Sequence, residues 1–271
     1  MRISIAGWSL QKQFNDKSLT LIDFPALCRD RFGVDAVELN NVFFASREPA
    51  YLKQVRAAAD KAGSTIANIA VDEAGDLSSD DAGERAKGLD AYGAWIPIAK
   101  AMGVPAIRAN SGGGMAKDRA RAVEHCTESF RRLCDIAAKH DIVVLMENHW
   151  GISSNPQNVV DIISAVQKTH GKERVGVLAD FGNWPDSVDR YAALTQVMPL
   201  AQATHAKIND IDEQLNHPRF DHARCLEIAR AAGYDGFLGI EYEAELDAFV
   251  GIERGVRLLR SLLAGKAGQA R

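Results

Sequence analysis

The sequence has little of what marks secreted, membrane-spanning or disulfide-rich proteins. Its 271 residues include four cysteines, Cys28, Cys126, Cys134 and Cys225, without a C-x-x-C pair, and this pattern favours reduced core thiols in a cytosolic protein. No run of about 18 apolar residues occurs, so no membrane span is predicted. The start, MRISIAGWSL, lacks the apolar stretch and small-residue cleavage site of a signal peptide. We therefore expect a cytoplasmic protein.

The sequence also lacks an excess of positive charge. It has 32 Lys and Arg residues against 36 Asp and Glu residues, a formal net charge of -4. No dense Lys/Arg run offsets this balance, so nucleic acid is not an expected partner. No G-x-G-x-x-G follows the first apolar run, so the usual signature of a dinucleotide-binding site is missing. The 46% hydrophobic and 25% charged residues are typical of a globular domain.

Short apolar runs rich in Val and Ile alternate with longer segments of helical periodicity. The eight runs cover residues 3–7, 36–39, 65–71, 106–110, 142–147, 175–180, 203–207 and 237–241. Between two of them, apolar residues at spacings of three and four predict a helix face that contains Val123, Thr127, Phe130, Cys134 and Ala137. A second such face contains Phe249, Ile252, Val256 and Leu259.

Glycines mark the ends of several predicted helices. Gly33, Gly63, Gly103 and Gly233 each follow a helical segment and precede an apolar run, where a left-handed residue ends a helix. Eight strands alternating with helices in a chain of this length favour a single closed (β/α)8 barrel. An open doubly wound sheet is the alternative. We assign the barrel to residues 1–265 and a short tail to residues 266–271.

Two predicted loops carry unusual compositions. Residues 71–85, VDEAGDLSSDDAGER, contain six acids without the residue order of a calcium loop, and we interpret them as a solvated lid or loop. Residues 110–118, NSGGGMAKD, offer glycine N–H groups that could cradle a phosphate. A flexible loop explains this second segment equally well.

Polar residues lie at or near the ends of four consecutive runs in the second half of the chain. In a (β/α)8 barrel the carboxyl ends of all strands meet in one mouth, where active sites lie. The side chains that would converge there are Glu147, Asp180, His205 and Glu241. Three neighbouring carboxylates repel one another unless a cation balances them. Oxygen and nitrogen ligands without thiolate suit Mn, Mg, Co or Zn, so the sequence predicts a divalent metal site.

The motifs around these residues resemble the xylose isomerase-like TIM-barrel family, the sugar phosphate isomerase/epimerase group. They are MENHWG with Glu147, LADFGNW with Asp180, THAK with His205, GIEYE with Glu241, and AGWSL in the first run. The resemblance covers residues 1 to about 265. ENH, DFGNW and GIEYE in this order are specific for the superfamily and not for a substrate.

The resemblance implies that this Glu, Asp, His, Glu set holds a metal and vicinal oxygens of a sugar. It also implies that Glu147 and Glu241 act as the catalytic acid and base of an isomerase or epimerase. A proton next to a carbonyl becomes removable when a metal polarises that carbonyl and stabilises an enediolate, and two carboxylates can then move it. The expected substrate is a small keto sugar or a related polyol ketone.

Two other functions remain open. A lyase or dehydratase would form the same enediolate and let it expel a β-substituent from a keto sugar or cyclic ketone. A non-catalytic sugar-binding subunit would keep the barrel without turnover, but the intact set of four ligand residues opposes this reading. In each case the partner is a small molecule, and the sequence leaves a homo-oligomer open.

Other polar residues are expected at the same mouth. Glu38 is predicted to contact substrate hydroxyls or, alternatively, to pair with a cation such as Arg108. His149 is either a substrate contact or a group that orients a ligand. Asn183 and Lys207 are also predicted to bind substrate, Lys207 through a substrate oxygen or a developing anion.

Aromatic residues near the strand ends could form a wall for a sugar ring. Trp8, Phe181 and Trp184 are predicted there, although such residues are as often part of the core. The endonuclease branch of the superfamily gathers additional histidines around several metals. The remaining histidines here are instead predicted at the surface: His125, His140, His170, His217 and His222.

Overall fold

The computed structural model describes residues 1–114 and 116–265. The predicted tail, residues 266–271, lies outside the described residues. Eight strands form: β1 Arg2–Ala6, β2 Ala36–Asn40, β3 Thr65–Ala70, β4 Ala106–Ala109, β5 Val143–Glu147, β6 Val175–Asp180, β7 Ala201–Ile208 and β8 Phe237–Tyr242. They pair in parallel and in sequence order, and β8 closes onto β1. The predicted closed (β/α)8 barrel is confirmed, and the open sheet is excluded.

Helices follow the strands around the outside of the barrel. They are α1 Gln11–Asn15, α2 Phe24–Phe32, α3 Pro49–Lys61, α4 Ala82–Gly93, α5 Trp95–Ala101, α6 Arg119–Ala138, α7 Pro156–His170, α8 Arg190–Val197, α9 His222–Ala231 and α10 Ala248–Ala264. Short 3-10 turns follow β1, β2 and β5 and precede β7. Within the described chain, no helix is long and apolar enough for a bilayer.

The predicted helix faces pack on the barrel. On α6, Thr127, Phe130, Cys134 and Ala137 are buried, while Val123 is half-buried at the edge of the core. Ile252, Val256 and Leu259 of α10 are buried in the same way. The predicted helix-ending glycines adopt left-handed φ angles of 64°, 62°, 64° and 77°, in the order Gly33, Gly63, Gly103 and Gly233. All four cysteines are buried free thiols, as expected.

A small apolar layer inside the barrel supports the mouth. Leu145, Leu178 and Ala203 lie in one cluster with Ala106 and Val143. Because side chains alternate along a strand, residues two positions apart point to the same face. Leu145, Leu178 and Ala203 therefore lie one step below the side chains of residues 147, 180 and 205. The polar residues of the mouth rest on this apolar floor.

The loop after β3 differs from the expectation of a solvated segment. Val71 and Leu77 are fully buried, Ser78 is almost so, and the irregular part ends where α4 begins at Ala82. Asp81 caps α4 by accepting hydrogen bonds from the backbone of Gly83 and Glu84. The apolar residues between the acids fold the loop onto the barrel, which the count of acids alone did not indicate.

Candidate active site

The carboxyl ends of β5 to β8 bring four side chains together in the barrel mouth. Glu147, Asp180, His205 and Glu241 are all buried, and each offers one ligand atom within 4.8 Å of the others. His205 Nδ1 lies at the centre of this group. Its distances are 3.4 Å to Glu147 Oε1, 3.6 Å to Glu241 Oε1 and 3.7 Å to Asp180 Oδ2. The four ligand residues expected from the sequence thus converge on one small volume.

Several atoms of this group have no hydrogen-bond partner among the described residues. They are Glu147 Oε2, Asp180 Oδ2 and His205 Nδ1. Buried polar atoms are normally paired, and these three can all donate an electron pair. A divalent cation accepts electron pairs from carboxylate oxygens and imidazole nitrogen. The donor set therefore fits a metal ion, although it does not select which one.

Glu38 is buried and contacts the ring of His205. It is 3% exposed, and its oxygens accept hydrogen bonds from Ser4 Oγ at 2.5 Å and Asn68 Nδ2 at 2.8 Å. His205 Nε2 lies 3.0 Å from Glu38 Oε2. The described partners of the Glu38 carboxylate are Ser4, Asn68 and His205 and not Arg108, while a contact of Glu38 with substrate stays a prediction. Glu38 orients the His205 ring so that Nδ1 faces the other three ligand residues.

Asparagines hold the neighbouring carboxylates in place. The fully buried Asn148 accepts from the Asp180 backbone N–H at 2.8 Å and donates to the Asp180 carbonyl at 3.0 Å. Asn183 Nδ2 donates to Glu147 Oε1 at 3.2 Å. The Asp180 Oδ1 atom accepts from the backbone N–H groups of Gly182 and Asn183 at 2.6 and 2.8 Å. Asp180 Oδ2 is thereby left to face the centre of the site.

Lys207 occupies the other side of the cluster. Its Nζ atom donates to Glu241 Oε2 and, at 2.7 Å, to Glu243 Oε2, and it lies 3.7 Å from Asp180 Oδ2. Burial alone would lower the pKa of Lys207, but the surrounding carboxylates raise it well above its ordinary value. Lys207 therefore stays protonated and holds Glu241 in a fixed orientation.

The carboxylates of the site also respond to one another. Burial would raise the pKa of Glu147, but the guanidinium of Arg108 and the His205 ring bring it well below its usual range. Burial, together with the nearby Glu241 and Glu147, raises the pKa of Asp180 to about 6. Burial opposes the charged form of His205, yet the carboxylates of Glu241 and Glu38 raise its pKa well above 6.5. The site therefore attracts positive charge strongly.

A cleft of about 550 Å³ adjoins the site, and Glu241 is the member of the four-residue cluster that lines it. Trp8, His149 and Trp150 line it, and 47% of the Trp150 surface is exposed. Trp8 Nε1 donates to Glu243 Oε1 at 2.7 Å. Trp184, in contrast, is 3% exposed and packs in the core with Phe181. Trp184 does not line this cleft, and its role as a substrate wall stays a prediction.

The glycine loop after β4 does not present a free anion cradle. Asp76 Oδ2 accepts the backbone N–H of Gly113 at 3.0 Å, and Asp76 Oδ1 accepts from Ser78 N and Oγ. A Cβ atom on Gly112 would lie 2.0 Å from Asp76 Oδ1. A carboxylate of the chain itself thus fills the place where a phosphate oxygen would bind.

Sequence reasoning missed several polar residues of the mouth. Arg108 lies in β4, Asn110 directly follows this strand, and both line the cleft together with Glu243, two residues beyond Glu241. The strand-end rule that selected Glu147 would have selected the β4 pair as well. His222 was expected at the surface, but it is 3% exposed, with its Nε2 3.1 Å from the Lys207 carbonyl.

Comparison with known proteins gives the family. The sequence model of the xylose isomerase-like TIM barrel family matches residues 26–262. The chain belongs to this family. The resemblance carried by the strand-end motifs is therefore confirmed. Curated proteins give no match to the sequence.

Solved structures share the fold of this family member along almost its full length. A putative xylose isomerase from Rhodospirillum rubrum superposes with a TM-score of 0.78 at 17% identity, covering 96% of this chain and 99% of the other. The 3-keto-D-glucoside 4-epimerase of E. coli superposes with a TM-score of 0.70 at 16% identity, covering 97% of this chain and 99% of the other. The D-psicose 3-epimerase of Clostridium cellulolyticum, in a structure with D-tagatose, superposes with a TM-score of 0.69 at 18% identity, covering 94% of this chain and 90% of the other. Identities this low show the fold alone.

Proposed function

We propose that the protein is a divalent-metal-dependent isomerase or epimerase of a small keto sugar or related polyol ketone. The observation that carries the proposal is the buried cluster of Glu147, Asp180, His205 and Glu241, whose ligand atoms lie within 4.8 Å of one another beside an open cleft that Glu241 lines. The fold is shared with sugar epimerases and is consistent with this activity. Mn, Mg, Co and Zn all suit the donors.

The proposed chemistry needs two carboxylates on different sides of one substrate carbon. A divalent cation held by the four residues would polarise the substrate carbonyl and stabilise negative charge on its oxygen. Glu241, fixed by Lys207, takes the proton from the adjacent carbon. Glu147 takes up a proton from solvent before this step and returns it to the opposite face or to the neighbouring atom, and Glu241 releases the abstracted proton to solvent. Glu38 keeps the imidazole of His205 in the required orientation.

Proton exchange in heavy water tests this function. The metal-loaded protein is incubated with a panel of keto sugars and cyclic polyhydroxyketones, and deuterium incorporation is followed by NMR. Exchange without elimination supports the isomerase or epimerase. Appearance of a double bond with loss of water would assign the lyase or dehydratase instead. A bound metal without exchange or elimination would leave the non-catalytic sugar-binding subunit.

The charges of the cleft predict an unphosphorylated substrate. Carboxylates line its walls, and Arg108 is the one Lys or Arg among the described lining residues. The acidic wall residues are Asp72, Glu73, Asp76, Glu241 and Glu243. A phosphate would meet like charges and a glycine loop that is already filled by Asp76.

We therefore expect kcat/KM for a free ketose to exceed that for its terminal phosphate ester by at least about 10-fold, which corresponds to about 1.4 kcal/mol. Paired kinetics on D-fructose and D-fructose 6-phosphate, extended to other ketose pairs, measure this ratio. Equal or better use of the phosphate esters would contradict the charge argument while leaving the metal chemistry intact.

A cytoplasmic location and the absence of a nucleic-acid partner remain predictions from composition. A homo-oligomer also remains open. The small-molecule sugar partner belongs to the proposal above, and the exchange experiment tests it.

A further inference from the structure

The unpaired buried atoms at the mouth are of two chemical kinds. Those of the four-residue cluster are electron-pair donors, and a cation satisfies them. Two others belong to Arg108, whose Nε and NH1 atoms carry N–H groups without a hydrogen-bond partner among the described residues. N–H donors need an oxygen and not a metal. An oxygen atom beside the cation site would satisfy these N–H groups.

Arg108 is buried, with 4% of its side chain exposed. Its NH2 atom donates to Asp72 Oδ1 at 2.8 Å, and Asn40 Nδ2 donates to the other oxygen of Asp72 at 2.9 Å. Arg108 Nε lies 3.1 Å from Glu147 Oε2 in an ion pair without hydrogen-bond geometry. These two carboxylates fix the guanidinium, and its NH1 edge is left over. A buried donor left unmatched is unfavourable, so this edge needs an explanation.

Asn110 supplies a complementary group in the same cleft. Its buried Oδ1 atom is an acceptor without a partner among the described residues, and both Asn110 and Arg108 line the cleft. Tyr92 fixes the backbone of Asn110, because its hydroxyl accepts from the Asn110 N–H at 3.1 Å and lies 3.4 Å from the Asn110 carbonyl. An unmatched donor and an unmatched acceptor thus occur together at the end of β4.

We propose that Arg108 and Asn110 form a substrate-binding pair, the β4 subsite, that holds one hydroxyl group of the substrate. Arg108 NH1 donates to the hydroxyl oxygen, and the hydroxyl donates its own proton to Asn110 Oδ1. A hydroxyl fulfils both roles, whereas a carboxylate or phosphate oxygen only accepts and leaves Asn110 Oδ1 unmatched. The pair lies beside Glu147, so it fixes how the carbon chain enters the site. This inference rests on the proposed function and adds the recognition of a specific hydroxyl.

Equilibrium binding tests the β4 subsite with two substitutions. Arg108→Lys keeps the positive charge beside Asp72 and Glu147 but lacks the planar NH1 edge, and Asn110→Ala removes the acceptor. Titration calorimetry of the manganese-loaded proteins with D-fructose, D-tagatose and a cyclic polyhydroxyketone identifies the probe that wild type binds most tightly. Each variant is expected to bind this probe about 10- to 100-fold more weakly. Arg174→Lys is the matched control. Arg174 directly precedes β6 and pairs with the exposed Asp141.

Monodeoxy forms of the same probe separate recognition from a structural effect. In wild type, removal of one particular hydroxyl should lower affinity about 10-fold or more, and in Arg108→Lys removal of that hydroxyl should change affinity less than about 2-fold. Equal losses for wild type and variant at every hydroxyl would overturn the subsite. The subsite would also be overturned if both variants bound the probe within about 2-fold of wild type. A variant that lost manganese affinity instead of sugar affinity would overturn it as well.

The failure of this inference differs from the failure of the proposed function. Normal proton exchange by wild type, together with unchanged sugar binding by the two variants, would reject the β4 subsite alone. A wild-type protein that neither binds a probe nor exchanges its protons would reject the proposed function, and the subsite with it.

Discussion

Glu241→Gln is expected to lower the rate of substrate proton exchange by at least about 1,000-fold. The amide cannot take a proton from carbon, and it donates a weaker electron pair to a cation. The substitution is nearly isosteric, so the barrel should remain folded. Deuterium incorporation by NMR measures the rate, and circular dichroism with thermal unfolding measures the fold.

Glu245→Gln is the matched control for this substitution. Glu245 is an exposed acid in the loop that follows β8. Unlike Glu241 and Glu243, it does not line the cleft. Glu245→Gln should change the exchange rate less than about 2-fold, because substitutions of exposed residues away from the site usually have small effects. Near-normal turnover in Glu241→Gln would refute the role assigned to Glu241.

Removal of divalent metal is expected to abolish exchange and to lower thermal stability. Dialysis against EDTA followed by differential scanning calorimetry measures the second effect. A metal that binds only the folded state stabilises it by about 2.7 kcal/mol when its free concentration is 100 times the dissociation constant. Readdition of Mn²⁺ should restore both activity and melting temperature.

Asp180→Asn provides the control for metal removal. The asparagine keeps an Oδ1 atom that accepts from Gly182 and Asn183, but it replaces the unpaired Oδ2 with an amide nitrogen. Its melting temperature should therefore be insensitive to Mn²⁺, whereas that of the exposed loop variant Asp186→Asn should rise as in wild type. An Asp180→Asn protein that responds fully to Mn²⁺ would place the metal elsewhere.

The sequence was sufficient for the barrel because each strand depends on local signals. Apolar runs, helical spacing and left-handed glycines such as Gly33 and Gly233 report on neighbouring residues along the chain. The strand-end rule then brought Glu147, Asp180 and His205 together, because strand order in a (β/α)8 barrel follows chain order. The structure confirms the barrel and places the expected ligand residues side by side.

The roles of individual residues around the site depended on contacts that strand order does not give. Glu38 lies near the end of its predicted apolar run, as Glu147 does, yet Ser4, Asn68 and His205 contact its oxygens. Trp184 follows Asp180 closely, but the loop turns its ring into the core. Such outcomes depend on side-chain direction across elements distant in sequence, and periodicity carries no information about them.

Anomalous diffraction from crystals grown with manganese can show whether one divalent cation is held between β5, β6, β7 and β8. We expect one strong manganese peak within about 2.0–2.3 Å of oxygens from Glu147, Asp180 and Glu241 and of His205 Nδ1. Absence of a peak at this position, with the four side chains pointing apart, would show that these residues do not form a metal site.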